Sequence, residues 1–180
     1  MKFTTLFAPL ALLAPTFASP IINASASADS PTIVDALTSV NQTTVKFGNV
    51  IVNWNGGLLG TVPVLAESTA LLVTVKKGTS IAEHSEPLDN DGALAVAGTT
   101  QSLVASVNTT LTTLIEARPK FDKLLLTPII VLNLKIQRDA TADLSEAIIA
   151  KVPEALQAIA KNLVAPIDQS FATAIDAYEA

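Results

Sequence analysis

The chain has no cysteine and a single histidine, and aromatic residues make up only 4% of its 180 positions. Each scarcity removes a class of function. Without thiols, and with His84 as the one imidazole, zinc, copper and haem sites lack the soft ligands they require. No GxSxG elbow, HExxH pair, Walker loop or GxGxxG run occurs, so the common hydrolytic and nucleotide chemistries have no motif to rest on. His84 lies close to Glu83 and Glu86 in an acidic stretch, where it reads as a solvated loop residue and not as a general base or metal ligand. A hydrolase would need that imidazole buried beside a serine and a carboxylate. The run Asp89-Asn90-Asp91-Gly92 lacks the spacing and the closing glutamate of an EF-hand, and reads as a capped turn. Charged residues are scarce too, at 15%, with a net charge of −5 and a pI near 4.7. That leaves no basic footprint for nucleic acid or anionic lipid. No enzyme, cofactor or metal site is expected.

What the chain has in quantity is alanine, valine and leucine. Lys2, the apolar run from Phe3 to Phe17 and the small residues Ala18 and Ser19 read as a secretory signal peptide over residues 1–18. Pro9 and Pro15 interrupt the run, which is too short to span a bilayer. No later uninterrupted apolar run of about eighteen residues follows, so no other segment is expected to cross a membrane. Residues 19–29 are small and polar and read as a disordered lead-in. Residues 30–180 then form one domain, exported and stabilised by packing alone, since disulfides are excluded. The polar close IDAYEA does not read as a GPI-attachment signal.

Within that domain the periodicity is helical. Ile33, Leu37, Val40, Thr44, Phe47, Ile51 and Trp54 follow steps of four and three, one stripe of a helix that Ser30 caps and Gly56-Gly57 stops. A second helix is expected from about Val62 to Lys77, ended by Gly78 behind its lysine pair, with Leu65, Ser68, Leu72 and Val75 inward. A third runs from about Leu88 to Ala117 with Leu94, Ala97, Gln101, Val104, Leu111 and Leu114 inward. A fourth follows Pro119, using Phe121, Leu125, Leu132, Ile136, Leu144 and Ile148, and Pro128 should kink or split it. Pro153 opens a fifth, with Leu156, Ile159, Leu163, Ile167, Phe171 and Tyr178 inward, bent at Pro166. No strand pattern survives. The fold expected is all-α, an antiparallel five-helix bundle.

Paired apolar positions such as Leu71-Leu72 and Ile148-Ile149 widen these stripes beyond a single seam. A fully packed core is the plain reading. The sharper one is a lipid-sized cavity between helices. In it, Thr44, Ser68 or Gln101 meets a polar head group. Its candidate walls are Leu37, Val40 and Phe47 on the first helix, Leu72 on the second, Val104 and Leu111 on the third, and Leu132 on the fourth. Three sequons, at Asn23, Asn41 and Asn108, are plausible N-glycan acceptors in an exported chain.

A signal peptide, a cysteine-free chain rich in Ala, Val, Leu and Thr, an opening helix ending in W-N-G-G, and a late K-V-P before a helix closing on A-I-D-A-Y together resemble one family. It is the fungal hydrophobic surface-binding protein A family, which includes antigenic cell-wall galactomannoproteins. The likeness covers the chain from about Asp29 to Ala180 and rests on Thr32–Gly57, Arg118–Phe121, Lys151–Pro153 and Ile167–Tyr178. It implies a five-helix secreted fungal protein of one of two kinds. Some members enclose long-chain fatty acids; others adsorb to hydrophobic solids and recruit a polyester hydrolase. Fatty acids or other lipids, hydrophobic surfaces and a secreted hydrolase are therefore the expected partners, with the cell wall or the medium as location.

Overall fold

The first helix is set by a reciprocal cap in the computed structural model, which describes residues 32–180. The expected signal peptide, the lead-in, the Asn23 sequon and the Ser30-Pro31 start lie outside the described residues. Thr32 is the N-cap of α1 (Ile33–Asn53): its hydroxyl accepts from the Asp35 amide at 3.1 Å, and the Asp35 carboxylate accepts from the Thr32 amide at 2.9 Å. Those bonds, the backbone one first, hold the Asp35 carboxyl below its ordinary value. Every residue of the predicted stripe from Ile33 to Trp54 is buried. Gly56, at φ +87°, makes the turn that follows.

After a 3-10 turn at Leu58–Gly60, α2 runs Thr61–His84, well past the stop expected at Gly78. Gly78 is a packing residue: a Cβ there would lie 3.3 Å from the Leu144 side chain and within 4 Å of Val40 and Ala36. Lys76 and Lys77 are therefore exposed mid-helix residues, not a terminal pair. Against expectation, the segment Leu58–His84 is long and apolar enough to cross a membrane by length and composition, with a mean hydropathy of 1.7 in its most apolar window. Only 28% of that window is buried, so α2 carries apolar residues on its outer face as well.

In α3 (Asn90–Glu116) the Asp89 carboxylate accepts from the Gly92 amide at 2.7 Å, the capped turn expected of this acidic run. The predicted fourth helix is two. α4 (Arg118–Asp122) ends before Leu125, which holds a left-handed φ of 56°, and α5 (Thr127–Ile149) restarts with Pro128 in its first turn, where a missing N–H costs nothing. Pro153 caps α6 (Glu154–Glu179), which continues through Pro166. The described residues thus hold six α-helices, not five, and no strand.

The five long helices close into a ring in the order α1, α2, α5, α6, α3, each packed on two neighbours. A ring with an odd number of members cannot alternate in direction throughout, so the expected antiparallel pattern fails in part. The α1–α2 and α5–α6 pairs are antiparallel, as the Lys46–Glu67, Lys135–Glu179 and Arg138–Asp168 ion pairs show. By contrast α2 and α5 run together, with Ser68 bonded to Asn133 and Gly78 against Leu144. The pairs α1–α3 and α3–α6 do likewise, through Thr44–Thr110, Asn108–Ser170 and Leu114–Tyr178.

One end of the ring is plugged by aromatics. Phe121 stacks 4.3 Å from Trp54 and 6.4 Å from Tyr178, between ring centroids. Each polar edge is bonded: Trp54 to the Gly57 carbonyl at 2.9 Å and Tyr178 to the Leu114 carbonyl at 2.6 Å. Burial pushes the Tyr178 hydroxyl well above its usual pKa, so it stays a neutral donor.

A candidate ligand chamber inside the ring

The interior stripes explain what the ring encloses. On α2 they read Thr61, Val64, Ser68, Leu71, Val75 and Gly78; on α3, Ala93, Val96, Thr100, Leu103, Val107 and Thr110; on α5, Ile130, Leu134, Gln137, Thr141, Leu144 and Ile148. All step by three and four, as α1 does. Each mixes large branched residues with small or polar ones; Leu144 fills the space at Gly78, whereas Ser68, Ala93, Thr100 and Thr141 lie on the walls of unfilled space.

Two adjacent spaces result. The inner one, about 50 Å³, is bounded by all five long helices, with Val40, Phe47, Ser68, Leu111, Gln137 and Phe171 on its wall. The outer one, about 560 Å³, lies between the N-terminal halves of α3 and α6 and the C-terminal half of α5. Leu103 and Thr141 wall both, so they adjoin end to end. Leu94 and Ile159, 72% and 64% exposed, form the rim of the outer chamber. Leu156, Ile159 and Leu163, expected inward, line this chamber, with Ile159 at its exposed rim.

Among the described residues no lysine or arginine lines either chamber, and Asp91 at the rim is the only acid. The hydroxyls inside are spent on the protein. Thr44 donates to the Val40 carbonyl at 2.8 Å, Thr110 to Thr44 at 3.2 Å, Thr100 to Val96 at 2.8 Å, and Thr141 to Gln137 at 2.7 Å. Ser68 donates to the Asn133 side-chain oxygen at 2.6 Å. Gln137 gives its amide N–H to the Ser68 carbonyl at 2.8 Å, while its own side-chain oxygen is buried with no partner.

The sequence-based candidates divide three ways. Val40, Thr44, Phe47, Ser68 and Leu111 lie on the inner chamber and Leu37 on the outer one. Leu72 and Val104 are half-buried and line neither. Gln101 and Leu132 face outward, a correction to both, as are Leu125 and Ile136. The inward polar residue of α3 is Thr100, one position earlier, and that of α5 is Gln137, which was missed. Its signal was present: from Ile130 to Ile148 the steps run four, three, four, three, four without a break. His84 is exposed at the end of α2, its Nδ1 2.7 Å from the Ser80 carbonyl. Of the two described sequons, Asn108 is exposed, whereas Asn41 is half-buried with its side-chain oxygen enclosed.

Comparison with known proteins accords with this geometry. Cell wall mannoprotein 1 of Aspergillus flavus is 29% identical over 179 residues, which is 99% of this chain and 63% of that protein. Its Aspergillus fumigatus counterpart is 28% identical, with 99% and 61% covered. The chain therefore spans about three-fifths of the length of these relatives. Among solved structures, ligand binding domain 1 of Penicillium marneffei MP1, complexed with arachidonic acids, superposes with a TM-score of 0.75 at 25% identity, over 79% of this chain and 93% of that one. AfMp4p in complex with palmitic acid shares the fold with a TM-score of 0.79 at 19% identity, over 83% and 99%. The family model for hydrophobic surface binding protein A matches residues 30–150. The chain belongs to the hydrophobic surface binding protein A family.

Proposed function

We propose that this protein is an exported, non-enzymatic carrier of long-chain apolar ligands, fatty acids foremost, held along the two chambers of the ring. The observation that carries the reading is the outer chamber: about 560 Å³, walled by aliphatic side chains and open at one rim, within the size range of lipid and cofactor sites. Arachidonic and palmitic acids in the complexes of the similar domains support it. The names of the relatives favour residence at the fungal cell wall or in the medium. If the chain is glycosylated, Asn108 is the better acceptor, because the Asn41 carboxamide is partly enclosed.

The test is native mass spectrometry of the exported protein, followed by solvent extraction, lipid analysis and reloading with labelled palmitic acid. The expected result is retained lipid at near one per chain. A protein that leaves the cell empty and takes up no labelled acid ends the carrier reading.

A second reading, adsorption to hydrophobic solids with or without a recruited hydrolase, is favoured by a separate observation. Leu58 and Leu59 in the 3-10 turn, Val62 at the start of α2, and Ile129, Leu132 and Ile136 on α5 are exposed, although the two helices pack side by side. Exposed apolar residues gathered on neighbouring helices mark a contact surface.

A further inference from the structure

The buried acceptor on Gln137 says what kind of head group the inner chamber takes. Gln137 is 4% exposed and lies on the wall of that chamber. Its side-chain oxygen has no donor, and a buried acceptor left unmet costs about 1–3 kcal/mol. Turning the amide over is no remedy, since its oxygen would then face the Ser68 carbonyl that its nitrogen now serves. The neighbouring hydroxyls of Thr44, Thr110, Thr141 and Ser68 already donate elsewhere. One turn earlier on α5, Asn133 lines the same space, its oxygen accepting from Ser68 and its amide nitrogen carrying N–H donors.

The chamber wall thus holds an unmet acceptor, a carboxamide one turn away and, among the described residues, no lysine or arginine. A carboxylate would set its charge against the Gln137 oxygen in an apolar enclosure whose described lining includes no lysine or arginine, a costly arrangement. A neutral O–H group fits both partners: it donates to Gln137 and accepts from Asn133. The inner space of about 50 Å³ suits a head group, and the adjoining outer chamber suits the chain.

We propose that the inner chamber selects long-chain ligands ending in a neutral hydroxyl, either a fatty alcohol or the undissociated form of a fatty acid, with Gln137 and Asn133 as the recognising pair. The proposal rests on the carrier reading above and adds the protonation state and head-group class. The two sources of the O–H group are separable. Only the acid ionises, so its apparent affinity must fall about tenfold for each pH unit above its carboxyl pKa of about 4–5, while the alcohol is indifferent to pH.

The experiment is displacement of a bound fluorescent probe from the delipidated full chain by hexadecanol and by palmitic acid, between about pH 5 and pH 8. The expected result is hexadecanol at least tenfold tighter than palmitic acid at the upper pH, and convergence of the two at the lower one. Gln137→Met, which keeps the length and removes the acceptor, should weaken hexadecanol several-fold and abolish the preference. Its fold is checked by circular dichroism, because it also loses the bond to Ser68. The wild-type pH profile needs no variant and decides alone if Gln137→Met does not fold. Palmitic acid binding that is independent of pH and as tight as hexadecanol would place a solvated carboxylate at the rim and overturn the proposal. Unchanged binding in Gln137→Met would assign the acceptor to a resident water, with the same consequence. Failure of both ligands to displace the probe would instead end the carrier reading itself.

Discussion

At Gly48 and Thr110 two helices of the ring, α1 and α3, pack closely. A Cβ on Gly48 would lie 2.8 Å from the Thr110 hydroxyl oxygen, which is held by its bond to the Thr44 carbonyl. Helix propensity alone would make Gly48→Ala stabilising by about 1 kcal/mol. The clash should reverse the sign, to a net loss of about 1–2 kcal/mol, because overpacking forces buried neighbours off their positions. Thr110→Ala opens the space, so the double variant should be more stable than the sum of the two singles by about 1 kcal/mol or more. Urea unfolding of the four proteins measures this, and additivity within about 0.5 kcal/mol would mean that the helices simply move apart. Neither residue stood out in the sequence. Thr44 did, because α1 has one apolar face and its stripe cannot be misread. Thr100, Thr110 and Gln137 were hidden by more apolar neighbours such as Val104 and Leu132, which lie one register away and face outward or half-outward.

That displacement has a cause at the level of the helix. A helix apolar around much of its circumference offers several stripes with steps of three and four, and hydrophobicity alone chooses the most apolar one. On α2 and α5 the true interior stripe is the less apolar, since it carries Ser68, Gly78, Gln137 and Thr141, while Val62, Leu132 and Ile136 stay outside. The helices themselves were legible, as were the caps at Asp89 and Pro153 and the break near Pro128. The end of α2 was not, because a glycine needed for close packing looks in sequence like one that stops a helix. An outer face this apolar should do work of its own. Replacing Leu59, Leu132 and Ile136 together by glutamine should reduce adsorption to octadecyl-coated silica several-fold. Folding stability should change by no more than about 0.5 kcal/mol per site, because these side chains are exposed. Binding of palmitic acid in solution should not change. Adsorption equal to that of the parent would show that the strip between α2 and α5 is not the contact face.

For the molecule as a whole, the decisive property is that five helices close around a space they do not fill. No periodicity announces this. Which helices become neighbours is decided by ring closure and by the loops, and the small inward residues that leave room are the ones a search for a core passes over. An incompletely filled ring forgoes packing contacts that a ligand can restore, so stability and occupancy should be linked. Delipidated protein should melt at a lower temperature than the protein as first isolated, and palmitic acid should raise the midpoint in proportion to the logarithm of its concentration. At a free concentration of about a hundred times Kd the gain should be about 2.7 kcal/mol. Ala160, on the wall of the outer chamber, allows the cause to be located. Ala160→Phe should fill part of that space, raise the midpoint of the empty protein or leave it unchanged, and remove most of the response to palmitic acid. If Ala160→Phe instead responds as fully as the parent, the ligand stabilises the protein from outside the ring. The exposed strip of α2 and α5, and not the chamber, would then be where this protein meets its apolar partners.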